Sequence, residues 1–251
     1  AIGDADNDQD LDLFISHLRT ESNTFYRNNG QAGFRDDSSP ARLAGQSLSY
    51  TGFGAGFVDF DHDGDLDLAV VNGRVSRGPL LKQSRTDYWD DYAESNFLFE
   101  NDGTGKFKRL DESFTNLIEN SRGLAFGDVD NDGGVDLLVS NEGGYARLFL
   151  SKKNDKGAWL TVRAVDPALK RDAIGATVSV AIAGKRLTRL IAPGYSYLSS
   201  NDPRAHFGLG NNLKVDQIEV RWPGGGREIF PGNGVNKMIT LLKGNGQGLR
   251  D

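Results

Sequence analysis

A chain of 251 residues is long enough for one large or two modest domains with a real core. It has no cysteine, which excludes disulfides and leaves the redox compartment open. No apolar run approaches the ~20 residues that span a bilayer, and no basic stripe interleaved with aromatics suggests nucleic acid. Thirty-two glycines, 10% aromatics and many short Val/Leu/Ile/Phe runs suit an all-β protein with many turns.

The formal charge of −6 is concentrated, because three nine-residue stretches hold fourteen aspartates. The first is Asp4-Ala5-Asp6-Asn7-Asp8-Gln9-Asp10-Leu11-Asp12, followed by the apolar run Leu13-Phe14-Ile15. The second is Asp59-Phe60-Asp61-His62-Asp63-Gly64-Asp65-Leu66-Asp67, running into Leu68-Ala69-Val70-Val71. The third is Asp128-Val129-Asp130-Asn131-Asp132-Gly133-Gly134-Val135-Asp136, running into Leu137-Leu138-Val139. All three carry carboxylates at positions 1, 3, 5 and 9.

Carboxylates so closely spaced repel one another unless a cation sits among them. Side chains at positions 1, 3 and 5 of a tight turn can point to a common centre, and Gly64 at position 6 permits that turn. A main-chain carbonyl near position 7 and the carboxylate at position 9 can complete an all-oxygen shell. Such a shell suits Ca²⁺ better than Mg²⁺, which keeps its waters. With neither Cys nor His among the expected ligands, Zn²⁺ is a poor fit. One acidic run would be an ordinary solvated loop; three in one register, each leading into a strand, are not. An EF-hand needs Glu at position 12, where this chain has Ile15, Val70 and Val139. Up to three Ca²⁺ are expected, enough to neutralise the formal charge of −6.

The first loop follows directly on Ala1-Ile2-Gly3, whereas strands Gly54–Phe57 and Gly123–Phe126 precede the later two. The expectation is that the natural N-terminus, with any targeting segment, lies further upstream. After each loop a longer unit repeats. Asn23-Thr24-Phe25-Tyr26-Arg27-Asn28-Asn29-Gly30-Gln31-Ala32-Gly33-Phe34 aligns without gaps on Asn96-Phe97-Leu98-Phe99-Glu100-Asn101-Asp102-Gly103-Thr104-Gly105-Lys106-Phe107. A degenerate third copy starts near Ala146-Arg147-Leu148-Phe149-Leu150. Four short antiparallel strands per unit, at periods of 55 and 69 residues, describe a propeller blade better than a solenoid coil.

These units resemble FG-GAP (VCBS) repeats, with the Gly-x-x-Phe strand ahead of the Asp loop, over roughly residues 1–153. The resemblance implies a β-propeller with Ca²⁺ in a hairpin loop of each blade, as in the integrin α-chain head. It assigns Asp4, Asp6, Asp8 and Asp12 to one site, Asp59, Asp61, Asp63 and Asp67 to the next, and Asp128, Asp130, Asp132 and Asp136 to the last. The main-chain ligands would be the carbonyls of Asp10, Asp65 and Gly134. Gln9 stands where the family has Gly, which implies a strained or weaker first loop. Two to three blades cannot close a ring that needs at least ~4. The open propeller edges are therefore expected to meet another protein chain or missing blades.

Between the second loop and its next strand lies an insertion from Arg74 to Ser95, rich in Arg85, Asp87, Tyr88, Trp89, Asp90, Asp91 and Tyr92. It reads as a variable surface loop or, given its aromatics, a contact surface. From Asn154 the metal pattern stops. Strands are expected over 159–165, 176–183, 185–192, 215–222 and 237–242. The landmarks Ala173-Ile174-Gly175-Ala176, Gly194-Tyr195-Ser196-Tyr197, His206-Phe207-Gly208-Leu209-Gly210 and Val220-Arg221-Trp222-Pro223-Gly224-Gly225 closely resemble the ASPIC/UnbV module of cartilage acidic protein-like proteins. That resemblance implies a compact β-sandwich or barrel-like domain over residues 154–251, with no established catalytic role.

An enzyme is disfavoured. Phe126-Gly127-Asp128-Val129-Asp130 superficially resembles the Asp-x-Asp of phosphoryl-transfer enzymes, but here the motif recurs three times among hairpins. Paired carboxylates for glycoside hydrolysis would compete with the metals for aspartates. His17, His62 and His206 are the only histidines, and none sits in a nucleophile motif. The leading reading is a calcium-stabilised interaction or adhesion module or structural subunit, secreted, at the cell surface or periplasmic, where free Ca²⁺ is high. The second is a glycan-binding module, or a non-catalytic subunit of a larger cell-surface enzyme or electron-transfer complex.

Overall fold

The residues flanking each Asp loop pair as an antiparallel hairpin in the same register: Gly3 opposite Asp12, Val58 opposite Asp67 and Gly127 opposite Asp136. The computed structural model describes residues 1–82, 86–152, 157–232 and 234–249. Arg85 of the insertion and the expected domain junction at Asn154 lie outside the described residues.

Three blade sheets follow one another, and the protein is all-β with an incomplete propeller. Strands β1 (Ile2–Gly3), β2 (Asp12–Ile15), β3 (Thr24–Asn28) and β4 (Phe34–Asp36) form the first sheet in chain order. The second begins with β5 (Gly52–Val58) and β6 (Asp67–Asn72). After β7 (Glu94–Ser95) it continues with β8 (Phe97–Asn101) and β9 (Phe107–Arg109). A short helix α1 (Ser113–Asn116) leads to β10 (Ile118–Glu119), which pairs with β7. The third sheet is β11 (Ser121–Gly127), β12 (Asp136–Asn141) and β13 (Arg147–Phe149). Where β5 and β11 have seven residues, β1 has two.

Period-2 alternation sets the packing between blades. Every residue of β6 is buried; Leu68 and Val70 enter one core with Phe14, Phe25, Phe57, Phe97, Phe99 and Phe107. Ala69 and Val71 enter a second core with Leu98, Phe114, Leu124 and Val139. The middle blade is thus covered on both faces. The flanking blades are covered on one only, which leaves Ile15 of β2 45% exposed and Leu138 of β12 46% exposed.

The C-terminal part folds on its own core. Strand β14 (Ala158–Asp166) pairs antiparallel with β15 (Arg171–Asp172) and, later in the chain, with β18 (Ala205–Gly210). Between these, β16 (Thr177–Ile182) and β17 (Lys185–Leu190) start a second sheet. It continues through β19 (Gln217–Arg221) and β20 (Arg227–Pro231) to β22 (Gln247–Leu249), while β21 (Lys237–Leu242) returns to pair in parallel with β14. Leu160, Val162, Val178, Val180, Phe207, Ile218, Val220 and Trp222 fill the space between the two sheets, as in a β-sandwich.

Two expectations are corrected. The insertion is not simply a surface loop. Its Arg74 and Glu94 are a buried ion pair at 3.1 Å, and buried Asp90 accepts from Lys82 and from the Thr86 and Asp87 amides. Its aromatic tip faces outwards, with Tyr88 55% exposed beside Trp89 and Tyr92, as do Val75 and Leu81. Nor does the exposed inner edge of β11 wait for another chain. The segment after β17 covers it, with Ser196 Oγ donating to Leu124 O, the Asp202 amide to Phe126 O, and the Phe126 amide to Asn201 Oδ1.

Leu68→Ala, which empties a fully buried site in the core that holds six phenylalanines, should cost about 2–5 kcal/mol in urea unfolding. Leu138→Ala on the open face should cost less than about 1 kcal/mol. Equal losses would mean that the middle blade is not the packing centre.

Candidate metal centres

Each Asp loop builds itself from the same hydrogen bonds. The position-5 carboxylate accepts the position-7 amide: Asp8 from Asp10, Asp63 from Asp65 and Asp132 from Gly134. These are Asx turns, which let a short polar side chain shape its own backbone. The residue at position 4 is left-handed in all three loops, with φ of 59° at Asn7, 65° at His62 and 59° at Asn131. Position 6 is left-handed too, at 80° for Gln9, 99° for Gly64 and 96° for Gly133. Glycine reaches that region freely, whereas Gln9 holds it with strain.

The position-9 carboxylates have a second task that spacing alone does not reveal. Asp12 accepts from the Ala5 and Asn28 amides, Asp67 from Phe60 and Asn101, and Asp136 from Val129 and Ser151. One bond closes the loop on its second residue; the other ties it to the far end of the next strand. All three are buried, so the same residue is both ligand candidate and brace.

Three carboxylates converge in every loop. Oxygens of Asp4, Asp6 and Asp8 lie within 4.8 Å of one another, as do those of Asp59, Asp61 and Asp67, and of Asp128, Asp130 and Asp136. Asp12, Asp63 and Asp132 are not among these converging groups; Asp12 accepts its two amides, and Asp63 and Asp132 the position-7 amides. Asp10, Asp65 and Gly134 stand at the position-7 main chain; the Asp65 carboxylate accepts from Asn7 Nδ2 at 2.6 Å and so links loops one and two. In the first loop Asp6 also pairs with the Arg27 guanidinium, which in turn binds Asp37 at 2.8 Å.

The donor set fits a hard cation. The position-1 carboxylate of each loop has one buried oxygen with no hydrogen-bond partner: Asp4 Oδ1, Asp59 Oδ1 and Asp128 Oδ1. An unpaired buried carboxylate oxygen is costly, and a Ca²⁺ ion accepts several such oxygens at once. Burial, reinforced by neighbouring carboxylates, pushes Asp4 and Asp59 up to about 7 and Asp67 up to about 9. Asp128 is raised for the same first reason.

The sequence reading missed what lies outside the second and third loops. Strands β14, β17 and β18 pack directly on them. Gly208 donates its amide to Asp59 Oδ2 at 2.8 Å, and Arg189 donates to Gly64 O at 2.9 Å. His206 Nε2 donates to Gly133 O at 2.9 Å, while Arg204 donates to Asp128 O at 2.8 Å. His62 and His206 are thus engaged with main-chain carbonyls. A clue was present in the second and third loops, where Gly64 and Gly133 replace the exposed Gln9 of the first. A Cβ on Gly133 would lie 1.9 Å from the Trp159 ring, and one on Gly64 3.2 Å from Leu187.

Raised carboxylates give the metal-free chain a definite pH response. A carboxyl whose folded pKa lies above its ordinary value contributes stability that is complete at low pH and lost as pH rises through the folded value. For Asp4, Asp59 and Asp67 that window runs from about 4 to about 9. In EDTA, urea stability should fall from pH 5 to pH 9, and excess Ca²⁺ should abolish the fall. A flat profile in EDTA would show that these carboxylates are not strained by one another.

Comparison with known proteins places both halves. Residues 4–70 and 88–139 match the FG-GAP-like repeat, and residues 166–248 match ASPIC and UnbV. The chain is similar to cartilage acidic protein 1 of Xenopus tropicalis, 27% identical over 260 residues that cover 96% of this chain and 36% of that protein. The Homo sapiens protein of that name is 26% identical over 259 residues, covering 96% and 35%. The one from Mus musculus is 38% identical over 79 residues, covering 30% and 12%. The chain therefore spans about 36% of the frog relative's length and about 35% of the human one's. Blades, loops and sandwich together make this chain an FG-GAP-like repeat protein with an ASPIC/UnbV domain, homologous over 96% of this chain to part of cartilage acidic protein 1.

Proposed function

We propose that the chain is a calcium-binding, non-catalytic interaction module of the extracellular or periplasmic space, divided into repeats over 1–153 and an ASPIC/UnbV domain over 154–251. The carrying observation is the unpaired, buried oxygen of the position-1 Asp in each loop, facing two further carboxylates. Ca²⁺ would be held by Asp4, Asp6, Asp8 and Asp12, by Asp59, Asp61, Asp63 and Asp67, and by Asp128, Asp130, Asp132 and Asp136. The carbonyls of Asp10, Asp65 and Gly134 would complete the shells. The ion supplies charge neutralisation and rigidity, and no step of chemistry. The engagement of His62 and His206 with carbonyls supports a structural role for the histidines. Among the described residues no helix is long and apolar enough to cross a membrane.

The partner is another protein chain or further blades stacked on the open faces. Leu138, Leu148 and Val129 of the third sheet and its loop, and Ile15 and Phe34 of the first, are exposed large apolar residues. Grouped exposed apolar residues mark interaction surfaces. The aromatic tip of Tyr88, Trp89 and Tyr92, with Arg77 over Tyr88 at 5.1 Å, favours a second reading as a glycan platform.

Calorimetric titration should find three Ca²⁺ sites. Each independent site should add about 2.7 kcal/mol of stability at a hundredfold excess over its Kd. Asp61→Asn and Asp130→Asn should each weaken one site about tenfold or more, because ligand charge sets affinity in such loops. An unchanged melting temperature on chelation would overturn the calcium reading.

Light scattering tests the open faces: the chain should self-associate, and the pair Leu138→Ser and Leu148→Ser should reduce it. A monomeric wild-type chain would count against those faces as an interface. Glycan-array binding that is lost in Trp89→Ala would instead favour the second reading.

A further inference from the structure

The three loops share their internal bonds and differ in what leans on them from outside. In the first and third loops the Oδ2 of the position-1 Asp accepts the loop's own position-6 amide, Gln9 to Asp4 at 3.1 Å and Gly133 to Asp128 at 3.0 Å. In the second loop the matching oxygen of Asp59 accepts instead from Gly208 of β18, 149 residues away. Gly210 of the same strand donates to His62 O at 2.7 Å. His62 returns the contact through Nδ1 to Gly157 O at 3.1 Å. Arg189, buried, reaches Gly64 O and stands 3.7 Å from Asp59.

The third loop is held in the same manner by other residues. Arg204 donates to Asp128 O and Asn131 Oδ1, and His206 donates to Gly133 O. The Trp159 ring lies where a Cβ of Gly133 would be. No hydrogen bond from the C-terminal strands to the first loop occurs among the described residues, and the domain acts there through the charge of Arg189 on Asp4; the loop's position-4 Asn7 reaches the second loop instead.

Most of these contacts land on loop carbonyls: His62 O, Gly64 O, Asp128 O and Gly133 O. Main-chain carbonyls point where the left-handed turns at positions 4 and 6 aim them. The C-terminal domain therefore reads the conformation of the loop as well as two of its side chains, Asp59 and Asn131. Its own apolar core contains no residue of the repeats; the seat combines these polar contacts with Trp159 and Leu187 lying on Gly133 and Gly64 and with Tyr197 against Phe53, and it depends on that conformation. A loop whose three carboxylates repel cannot hold the shape; a loop whose carboxylates share a cation can.

We propose that Ca²⁺ in the second and third loops and docking of the ASPIC/UnbV domain are thermodynamically linked, the domain seating on metal-filled loops, with the first loop outside the linkage. This rests on the calcium reading above. Linkage is reciprocal: if the metal tightens docking, docking tightens the metal by the same factor.

Two measurements on the full chain test it. Hydrogen exchange is compared in Ca²⁺ and in EGTA over residues 205–210, which carry the Gly208 and Gly210 amides, and over residues 177–182 inside the domain. Chelation should speed exchange in the first segment about fivefold or more, within the usual range of coupling factors, and leave the second unchanged. The second measurement is calorimetry of Ca²⁺ binding to wild type and to Gly208→Ala. A Cβ at Gly208 would lie 2.4 Å from Asp59 Oδ2 and 2.4 Å from His62 Cα, so the substitution pries the domain off the second loop.

In Gly208→Ala the second site should weaken by about 5–150-fold, the third should weaken with it, and the first should keep its wild-type affinity. Protection of residues 205–210 that survives chelation would overturn the linkage, as would exchange rising equally in residues 177–182. Three sites of wild-type affinity in a folded Gly208→Ala would overturn it too; if that variant does not fold, the exchange experiment on wild type decides alone. Absence of Ca²⁺ binding to wild type would overturn the calcium reading and the linkage together, whereas binding without coupling overturns the linkage alone.

Discussion

Three carboxylates held within 4.8 Å in each of three loops set the problem that the rest of the fold answers. At an effective dielectric near 20, two unit charges ~4 Å apart repel by about 4 kcal/mol. A domain's whole stability is only about 5–15 kcal/mol. The loops therefore cannot stay closed and fully ionised without compensation. Protonation is one solution, and Asp59 and Asp67 lean towards it, raised first by burial and then by their neighbouring carboxylates. A shared cation is the other. The first loop adds a third, since Arg27 brings a guanidinium to Asp6. The braces at Asp12, Asp67 and Asp136 matter for the same reason: each joins loop to sheet through two amides, so a loop that opens pulls on its blade.

That anchoring acts beside the two apolar cores that join the blades. The inner strands approach closely where side chains are missing. A Cβ on Gly54 would meet the Leu124 amide nitrogen at 2.6 Å, and one on Gly56 the Phe126 ring at 2.4 Å. The glycines of the repeat therefore allow contact between neighbouring blades as well as turns. Around this narrow axis the apolar cores lie between blades, and a terminal blade has core on one face only. The exposure of Ile15 and Leu138 follows from blade count, not from an error of patterning. Each would be buried by one more sheet.

Local features were legible in the sequence because local chemistry makes them. Aspartates at alternate positions, the turn residue at position 6, and the gapless match of Asn23–Phe34 to Asn96–Phe107 predicted loops and strands that occupy those places. What escaped was non-local. The parallel pairing of β14 with β21 joins Leu160 to Lys237, and no alternation pattern specifies a partner at that distance. Strand β18 hid behind two glycines, Gly208 and Gly210, that weaken any strand signal. Gly208 makes sense only with the second Asp loop against it, while Gly210 is left-handed at φ 55°. The doubled role of the position-9 Asp was hidden as well, since a carboxylate that braces and one that binds have the same spacing.

The position-4 residues show how the two halves come to fit. Asn7, His62 and Asn131 all sit in left-handed backbone, which projects the side chain away from the carboxylate cluster. Each uses that projection on a different neighbour: Asn7 on Asp65, His62 on Gly157 and Asn131 on Arg204. A loop that needs only its carboxylates at positions 1, 3, 5 and 9 leaves position 4 free to vary. The outward residue can then be chosen for whatever stands beside the loop. The first loop meets its neighbouring blade through Asn7, and the second and third meet the C-terminal domain through His62 and Asn131. Position 6 obeys the same logic with the opposite sign, since crowding by Leu187 or Trp159 demands Gly64 and Gly133 while open solvent tolerates Gln9. One repeated loop thus keeps a common interior, and its outward positions record where along the chain each copy is covered.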